Sequence, residues 1–124
     1  MIFIFGGRCQ GKLQFAKQKF GENLSVCCLK ENKIESIASF DIITNIEETV
    51  KMLLKEGQKP SEFFKKNIDV FENKIIIGNE IGCGIVPVDE FEREWRDETG
   101  WVYQLLSKNS KEVYRVWCGI GKKI

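Results

Sequence analysis

Residues Gly6 to Lys12 read GGRCQGK and fit the pattern G-x-x-x-x-G-K. Such a loop does its chemistry with the main chain. Glycines let the backbone turn so that successive N–H groups converge on phosphate oxygens. A helix that begins at the loop aims the positive end of its dipole at the same point. Lys12 adds a mobile ammonium for the β- and γ-phosphates. The expected nucleotide cradle is therefore Gly6, Gly7, Arg8, Cys9, Gln10, Gly11, Lys12 and Leu13. Its last position departs from the pattern. A serine or threonine there ligates Mg²⁺ through its hydroxyl, and Leu13 offers no oxygen. The alternative is a glycine turn joining a strand to a helix, with an incidental lysine.

In proteins with loops of this type, an acid at the end of a neighbouring strand often holds Mg²⁺, directly or through water. Asp41, after the apolar run ending at Phe40, is the expected metal-holding carboxylate. It reads equally as a turn aspartate. Glu80, directly after KIIIGN, is the second candidate, because ligands of open α/β sheets bind at the carboxyl ends of central strands. Lys12, Asp41 and Glu80 are thus the expected catalytic set. Arg93, Arg96 and Asp97 stand on one long helical stretch and read as solvated charge. Trp95, Trp101 and Tyr103 read as core or subunit contacts.

The elements needed to position these groups follow from hydrophobic patterning. Met1 to Phe5 is a buried strand stopped by Gly6-Gly7. A helix follows from Gly11 to about Phe20, with Leu13, Ala16 and Phe20 on one side and Phe15 off that stripe. Leu24–Leu29 and Ile34–Ile43 read as strands, and Asn45 caps a helix through IEETVKMLLKEG. Pro60 opens another helix, KIII begins a central strand, Asp89 to about Ser107 is a long helix, and EVYRVWC is a last strand. Lys122 and Lys123 form a solvated tail. Strands alternating with helices predict one α/β domain over residues 1–124: a P-loop-type, mostly parallel sheet with helices on both faces.

Composition narrows the partners. Lys plus Arg number 19 against 18 Asp plus Glu, so the large positive field that duplex nucleic acid demands is missing. No apolar run approaches the roughly 18 residues of a membrane span. The start MIFIFGG lacks a charged leader, so a first strand is the better reading than a secretory signal. The cysteines, five in number, include no C-x-x-C pair and are expected as reduced core residues of a cytoplasmic protein. The sequence contains no histidine, which excludes mechanisms built on an imidazole base, nucleophile or metal ligand.

Together these segments resemble a known family. GGRCQGK near the start, NEIGCGIVP at 79–87 and EREWRDETGWVYQ after it are similar to the motifs of the adenosylcobinamide kinase / adenosylcobinamide-phosphate guanylyltransferase family of cobalamin biosynthesis. That family pairs an opening GGxRSGKS with NEVGxGIVP and a later RxFRDxxGxxNQ. Asn79, Glu80, Gly82, Gly84, Ile85, Val86 and Pro87 carry the middle motif. Arg93, Arg96, Asp97, Gly100 and Gln104 carry the third, in which Tyr103 replaces an asparagine. The ending EVYRVWCGIGKKI resembles the family's final strand and tail.

The resemblance implies a P-loop α/β sheet, ATP or GTP with Mg²⁺, a corrinoid alcohol as substrate, and a homo-oligomer. Two departures shape what it implies for activity. Family members are longer, and the shortfall here lies between the second strand and Phe40-Asp41, where the family carries the histidine that becomes guanylylated. Leu13 replaces the family's serine. The expectation is nucleotide binding without efficient turnover, the guanylyl step being lost. A working kinase, or a remnant with only a structural or regulatory role, are the alternatives.

Overall fold

Isoleucine and phenylalanine alternate at residues 2–5, and a strand built of such a pattern must be covered on both sides. The computed structural model describes residues 1–29, 34–82, 84–85 and 88–124. In it this strand, β1 (Ile2–Gly6), is the middle of a six-stranded sheet. The others are β2 (Val26–Cys28), β3 (Ile42–Thr44), β4 (Ile75–Asn79), β5 (Glu112–Trp117) and β6 (Ile120–Lys123), in the order β2-β3-β4-β1-β5-β6. The first five run parallel, and β6 returns antiparallel to β5. The expected mostly parallel α/β sheet is what the chain forms.

The two faces are covered unequally. Helix α1 (Lys12–Phe20) lies alone on one face, where Ala16 and the flanking Phe15 and Phe20 pack on Ile2, Ile4, Ile77, Tyr114 and Val116. Helices α2 (Ile46–Lys55), α3 (Pro60–Lys66) and α4 (Glu90–Lys108) cover the other face, over Phe3, Ile43 and Ile76. Phe64 and Phe71, both fully buried, stack at 5.5 Å in that layer. Asp89 caps α4 with its side chain, accepting from the N–H groups of Phe91 and Glu92.

The sheet's wiring matters for function. The connection after β1 leaves through α1 on one face, and the connection after β4 leaves through α4 on the other. Since β1 and β4 are neighbours, a crevice opens between their carboxyl ends, the place where open α/β sheets bind ligands.

Four expectations are corrected. The strand expected at Ile34–Ile43 is a 3₁₀ helix over Ile34–Ser39 followed by the short β3, because Ile34 and Ile37 share a three-residue spacing and Ile37 is buried as one face of a helical turn. Asn45 makes no capping bond. It adopts the left-handed conformation (φ 58°) and its amide nitrogen donates to the Cys28 sulfur at 3.8 Å. Lys122 and Lys123 form part of β6, reached through a two-residue turn in which Cys118 (φ 49°) and Gly119 (φ 79°) are both left-handed, as a tight hairpin requires. Finally, Cys9 and Cys118 are exposed rather than core residues, whereas Cys27 is buried; Cys83 lies outside the described residues.

Phe15, which falls off the stripe of α1, is explained by β6. Its ring lies 5.4 Å from that of Tyr114 and occupies the space where Gly121 lacks a side chain. A methyl group on Gly121 would overlap the ring. Gly121→Ala is therefore expected to destabilise by about 1–3 kcal/mol, as overpacking does. Urea unfolding of the single variants and the double variant with Phe15→Ala checks this: the cost should largely vanish once the ring is gone.

Candidate functional site

The loop between β1 and α1 is built by backbone conformations that only particular residues take cheaply. Gly11 turns at φ 89°, and Cys9 is held at φ 58°. Gly6 must lack a side chain, because a Cβ there would run into the carbonyl oxygen of Val116 on the neighbouring strand. Helix α1 starts directly at Lys12, its first ladder bond running from the Phe15 N–H to the Gly11 carbonyl at 2.9 Å. No side chain caps that helix end, so its opening N–H groups face the loop.

Two neighbours brace the loop. The Glu80 N–H donates to the Gly6 carbonyl at 2.8 Å, which ties the segment after β4 to the loop's first residue. On the other side Gln10 receives the β5–β6 turn. Its side-chain oxygen accepts from the Cys118 N–H and its carbonyl from the Gly119 N–H, both at 2.7 Å. A Cβ on Gly11 would press on the Gly119 backbone at 3.2 Å, whereas one on Gly119 would meet no neighbour, and glycine there serves the left-handed turn.

A cavity of about 350 Å³ opens between β1 and β4, lined by Arg8, Cys9, Lys12, Leu13, Asn45 and Asn79 among others. Lys12 is only 7% exposed, and its ammonium folds back to donate to the Gly7 carbonyl at 2.6 Å. Burial pulls its pKa below the ordinary lysine value, and the nearby Glu47, Cys9 and Glu80 oppose that fall.

The expected catalytic groups part company here. Lys12 and the loop residues stand together at the crevice. Glu80 stands beside them, but its carboxylate is engaged by Arg115 of β5 at 3.2 Å. Asp41 lies at the opposite edge of the sheet. It precedes β3 instead of ending a strand, so in a parallel sheet it falls at the amino end, near Met1, Asn73 and Lys74. There it accepts bonds from the N–H and hydroxyl of Ser25, both at 3.0 Å. Asp41 cannot reach a metal at the glycine loop, and its assignment as metal ligand is withdrawn. Among the described residues no group of three or more His, Cys, Asp or Glu could hold a metal ion.

Groups not foreseen from sequence complete the crevice. Glu47, 1% exposed, accepts from the Asn79 N–H at 2.9 Å and from the Asn79 amide at 3.3 Å. Trp95 donates its indole N–H to the Glu47 carbonyl at 2.7 Å. Tyr103 donates to the Asn79 carbonyl at 2.6 Å, its ring filling the space left by Gly78. Burial, with Glu47 and Glu80 nearby, pushes the Tyr103 hydroxyl well above its ordinary range. A signal for Glu47 existed. On the helical wheel it borders the stripe of Ile46, Val50 and Leu53, whereas Glu48 lies opposite. Arg93 and Arg96 are not merely solvated: Arg93 donates to the Val88 carbonyl at 2.7 Å, and Arg96 to those of Gly82 and Ile85. They pin the segment after β4 to α4. Val86 and Pro87, also expected in that motif, lie outside the described residues.

A family model described as cobinamide kinase / cobinamide phosphate guanyltransferase matches residues 27–124. The chain belongs to that family. The resemblance read from the motifs is thereby upheld, although the glycine loop itself lies before the matched span. Among curated relatives, the bifunctional adenosylcobalamin biosynthesis protein CobU of Escherichia coli is 44% identical over 50 residues, 40% of this chain and 28% of that protein. The CobU of Salmonella typhimurium gives the same figures. The corresponding CobP of Pseudomonas aeruginosa is 38% identical over 39 residues, 32% of this chain and 22% of its own length. The aligned stretches thus span under a third of each relative. The family is one of kinases and transferases of cobalamin biosynthesis, working with nucleotides and cobinamide. Among the described residues no helix is long and apolar enough to cross a membrane.

The correction to Asp41 is open to direct test. Donation from Ser25 holds its carboxyl below the usual aspartate range. With the folded pKa depressed, this bond stabilises above the unfolded value and is lost as pH falls through the folded one. Ser25→Ala removes the hydroxyl donor but keeps the main-chain N–H, the larger cause, and is expected to move the Asp41 titration only partway toward its ordinary value in carboxyl NMR. It should leave nucleotide titrations unmoved, which a metal ligand's partner would not.

Proposed function

We propose that this chain binds a nucleoside triphosphate, ATP or GTP, at residues Gly6 to Leu13, and that it does so without efficient turnover. The observation that carries the reading is a buried lysine at the start of α1, over a glycine loop at the sheet's switch point, beside a cavity of phosphate-binding size. Phosphates would take the place of the Gly7 carbonyl as partners of the Lys12 ammonium, and the free N–H groups of α1 would meet the remaining oxygens.

The residues at the crevice do not fit a resident Mg²⁺. Leu13 presents carbon where the pattern asks for a hydroxyl, Glu80 is engaged by Arg115, and Asp41 is at the far edge. A metal would arrive with the nucleotide and be held by its phosphates. The guanylyl step needs a histidine that this sequence does not contain. A second reading, a working kinase for a corrinoid alcohol, draws support from Glu80, which of the two expected carboxylates is the one beside the loop.

Calorimetric titration with ATP and GTP, with Mg²⁺ and in excess EDTA, tests both. Binding indifferent to EDTA is expected. Lys12→Ala should weaken it roughly ten- to a hundredfold, the loss of a charged hydrogen bond. Leu13→Ser should introduce dependence on Mg²⁺. Phosphate transfer at a kinase-like rate by the unaltered chain would instead favour the second reading.

The reading includes a homo-oligomer. Trp117, Ile120 and Ile124 expose apolar surface on one side of the β5–β6 hairpin, with Trp117 60% exposed. Uncovered apolar area of this kind marks interaction surfaces. Sedimentation at micromolar concentration is expected to show an assembly that Trp117→Lys disperses; a monomer throughout would remove this part of the proposal.

A further inference from the structure

Glu47 is the most costly side chain in the crevice. A carboxylate at 1% exposure forfeits its hydration and must be compensated. Leucine would fill the same position on the border of the apolar stripe of α2 without that cost. Both carboxylate oxygens are instead spent on one residue, Asn79, taking its main-chain N–H at 2.9 Å and its side-chain amide at 3.3 Å. Asn79 ends β4 and lines the cavity. On the loop side, Lys12 is buried with a neutral carbonyl as its hydrogen-bond partner and, among the described residues, no carboxylate within 4.0 Å. A buried ammonium in that position favours losing its proton unless negative charge stands near.

We propose that Glu47 is the buried counter-charge of the phosphate site, seating Asn79 against the cavity and keeping Lys12 charged without bonding it, so that the ammonium stays free for phosphate. The inference rests on the reading of the loop as a phosphate cradle. It assigns a positioning residue on α2 that the glycine-loop pattern does not contain. Geometry separates the two tasks. The carboxylate's hydrogen bonds fix Asn79, while its charge acts on Lys12 across the cavity wall. The other groups facing Lys12 are Cys9 of the loop and Glu80 after β4, whose charge is shared with Arg115 of β5. Tyr103 of α4 faces Glu47 and Glu80, and its burial pushes the hydroxyl well above its ordinary range. Among the described residues, the carboxylates that face Lys12 are Glu47 and Glu80, and of these Glu47 is not bound to an arginine.

The test uses inorganic tripolyphosphate, which has no base or sugar, and reads the pH at which its affinity falls on the alkaline side. In the unaltered chain that fall should come below the ordinary lysine value, since burial depresses Lys12. Glu47→Gln, of the same shape, is expected to move the midpoint down by about one pH unit, the scale of a nearby charge. Asn79→Ala keeps the charge and loses the seat, so it should weaken binding severalfold at pH 7 and leave the midpoint in place. Cys9→Ser should leave Glu47→Gln shifted, which separates the carboxylate from the thiol.

A midpoint unmoved in Glu47→Gln overturns the proposal, as does one moved equally by Asn79→Ala. If Glu47→Gln does not fold, Glu47→Asp, one methylene shorter with its charge intact, should bind more weakly with the wild-type midpoint, and a shifted midpoint there overturns it equally. Lys12→Arg carries a cation that does not titrate and should flatten the alkaline fall. Tripolyphosphate binding that is indifferent to Lys12→Ala would instead sink the phosphate cradle itself, an outcome distinct from any of these.

Discussion

A lysine whose stem is packed inside a protein needs both a rigid wall and a charge to face, and the carboxyl edge of this sheet is arranged around supplying them. Lys12 is the first residue of α1, so its position is set by the same turn that aims the helix N-terminus. That turn holds because Gly6 can lie flat against Val116 and because Gly11 can take a left-handed conformation. Were the lysine exposed, its ammonium would be one more solvated charge. Its burial makes its protonation, its partner and the identity of its neighbours matter to what the crevice can bind.

The loop is held from two sides by quite different means. Toward β4 the connection is a backbone bond, Glu80 to Gly6, so the two strand ends that frame the crevice cannot drift apart independently. Toward β5 it is the hairpin turn, whose two N–H groups both land on Gln10. The hairpin is in turn fixed by Phe15 of α1 lying over Gly121. The chain of contacts is closed: loop to hairpin, hairpin to α1, α1 back to the loop. A cradle braced in this way is preorganised, so that a bound phosphate would not have to order the loop that receives it.

How much of this could be read from the residues depends on how local each signal is. The β1–loop–α1 unit was legible because its pattern, its glycines and its lysine sit within twenty consecutive residues. So were β4, from its continuous apolar run, the long charged helix α4, and the parallel sheet, from the alternation of strands and helices. Asp41 was misplaced because IESIASF carries apolar residues compatible with either a strand or a helical turn, and that choice alone decides which edge of the sheet Asp41 occupies. The β5–β6 hairpin was missed since Cys118-Gly119 lacks the asparagine or aspartate that usually announces a left-handed pair. Glu47 escaped for another reason. In sequence it is an ordinary first-turn acid, and only the approach of β4 and α4 turns it into a buried carboxylate bound to Asn79.

Losses at this site do not fall evenly on binding and on chemistry. Most of what would grip a phosphate here is main chain and helix terminus, which no side-chain substitution removes, together with a lysine that is present. What Leu13 takes away is a metal oxygen, and what the missing histidine takes away is a nucleophile; both belong to turnover. Phosphoryl transfer depends on placing charge where it develops between attacking and leaving oxygens, and a metal held by the nucleotide alone is placed less firmly than one also held by the protein. On the proposed reading, the same substitutions would leave the ground-state complex largely intact and act on the transition state. A buried Glu47 would fit that division: a negative charge near bound phosphates opposes tight binding, yet it would keep the Lys12 ammonium from losing its proton.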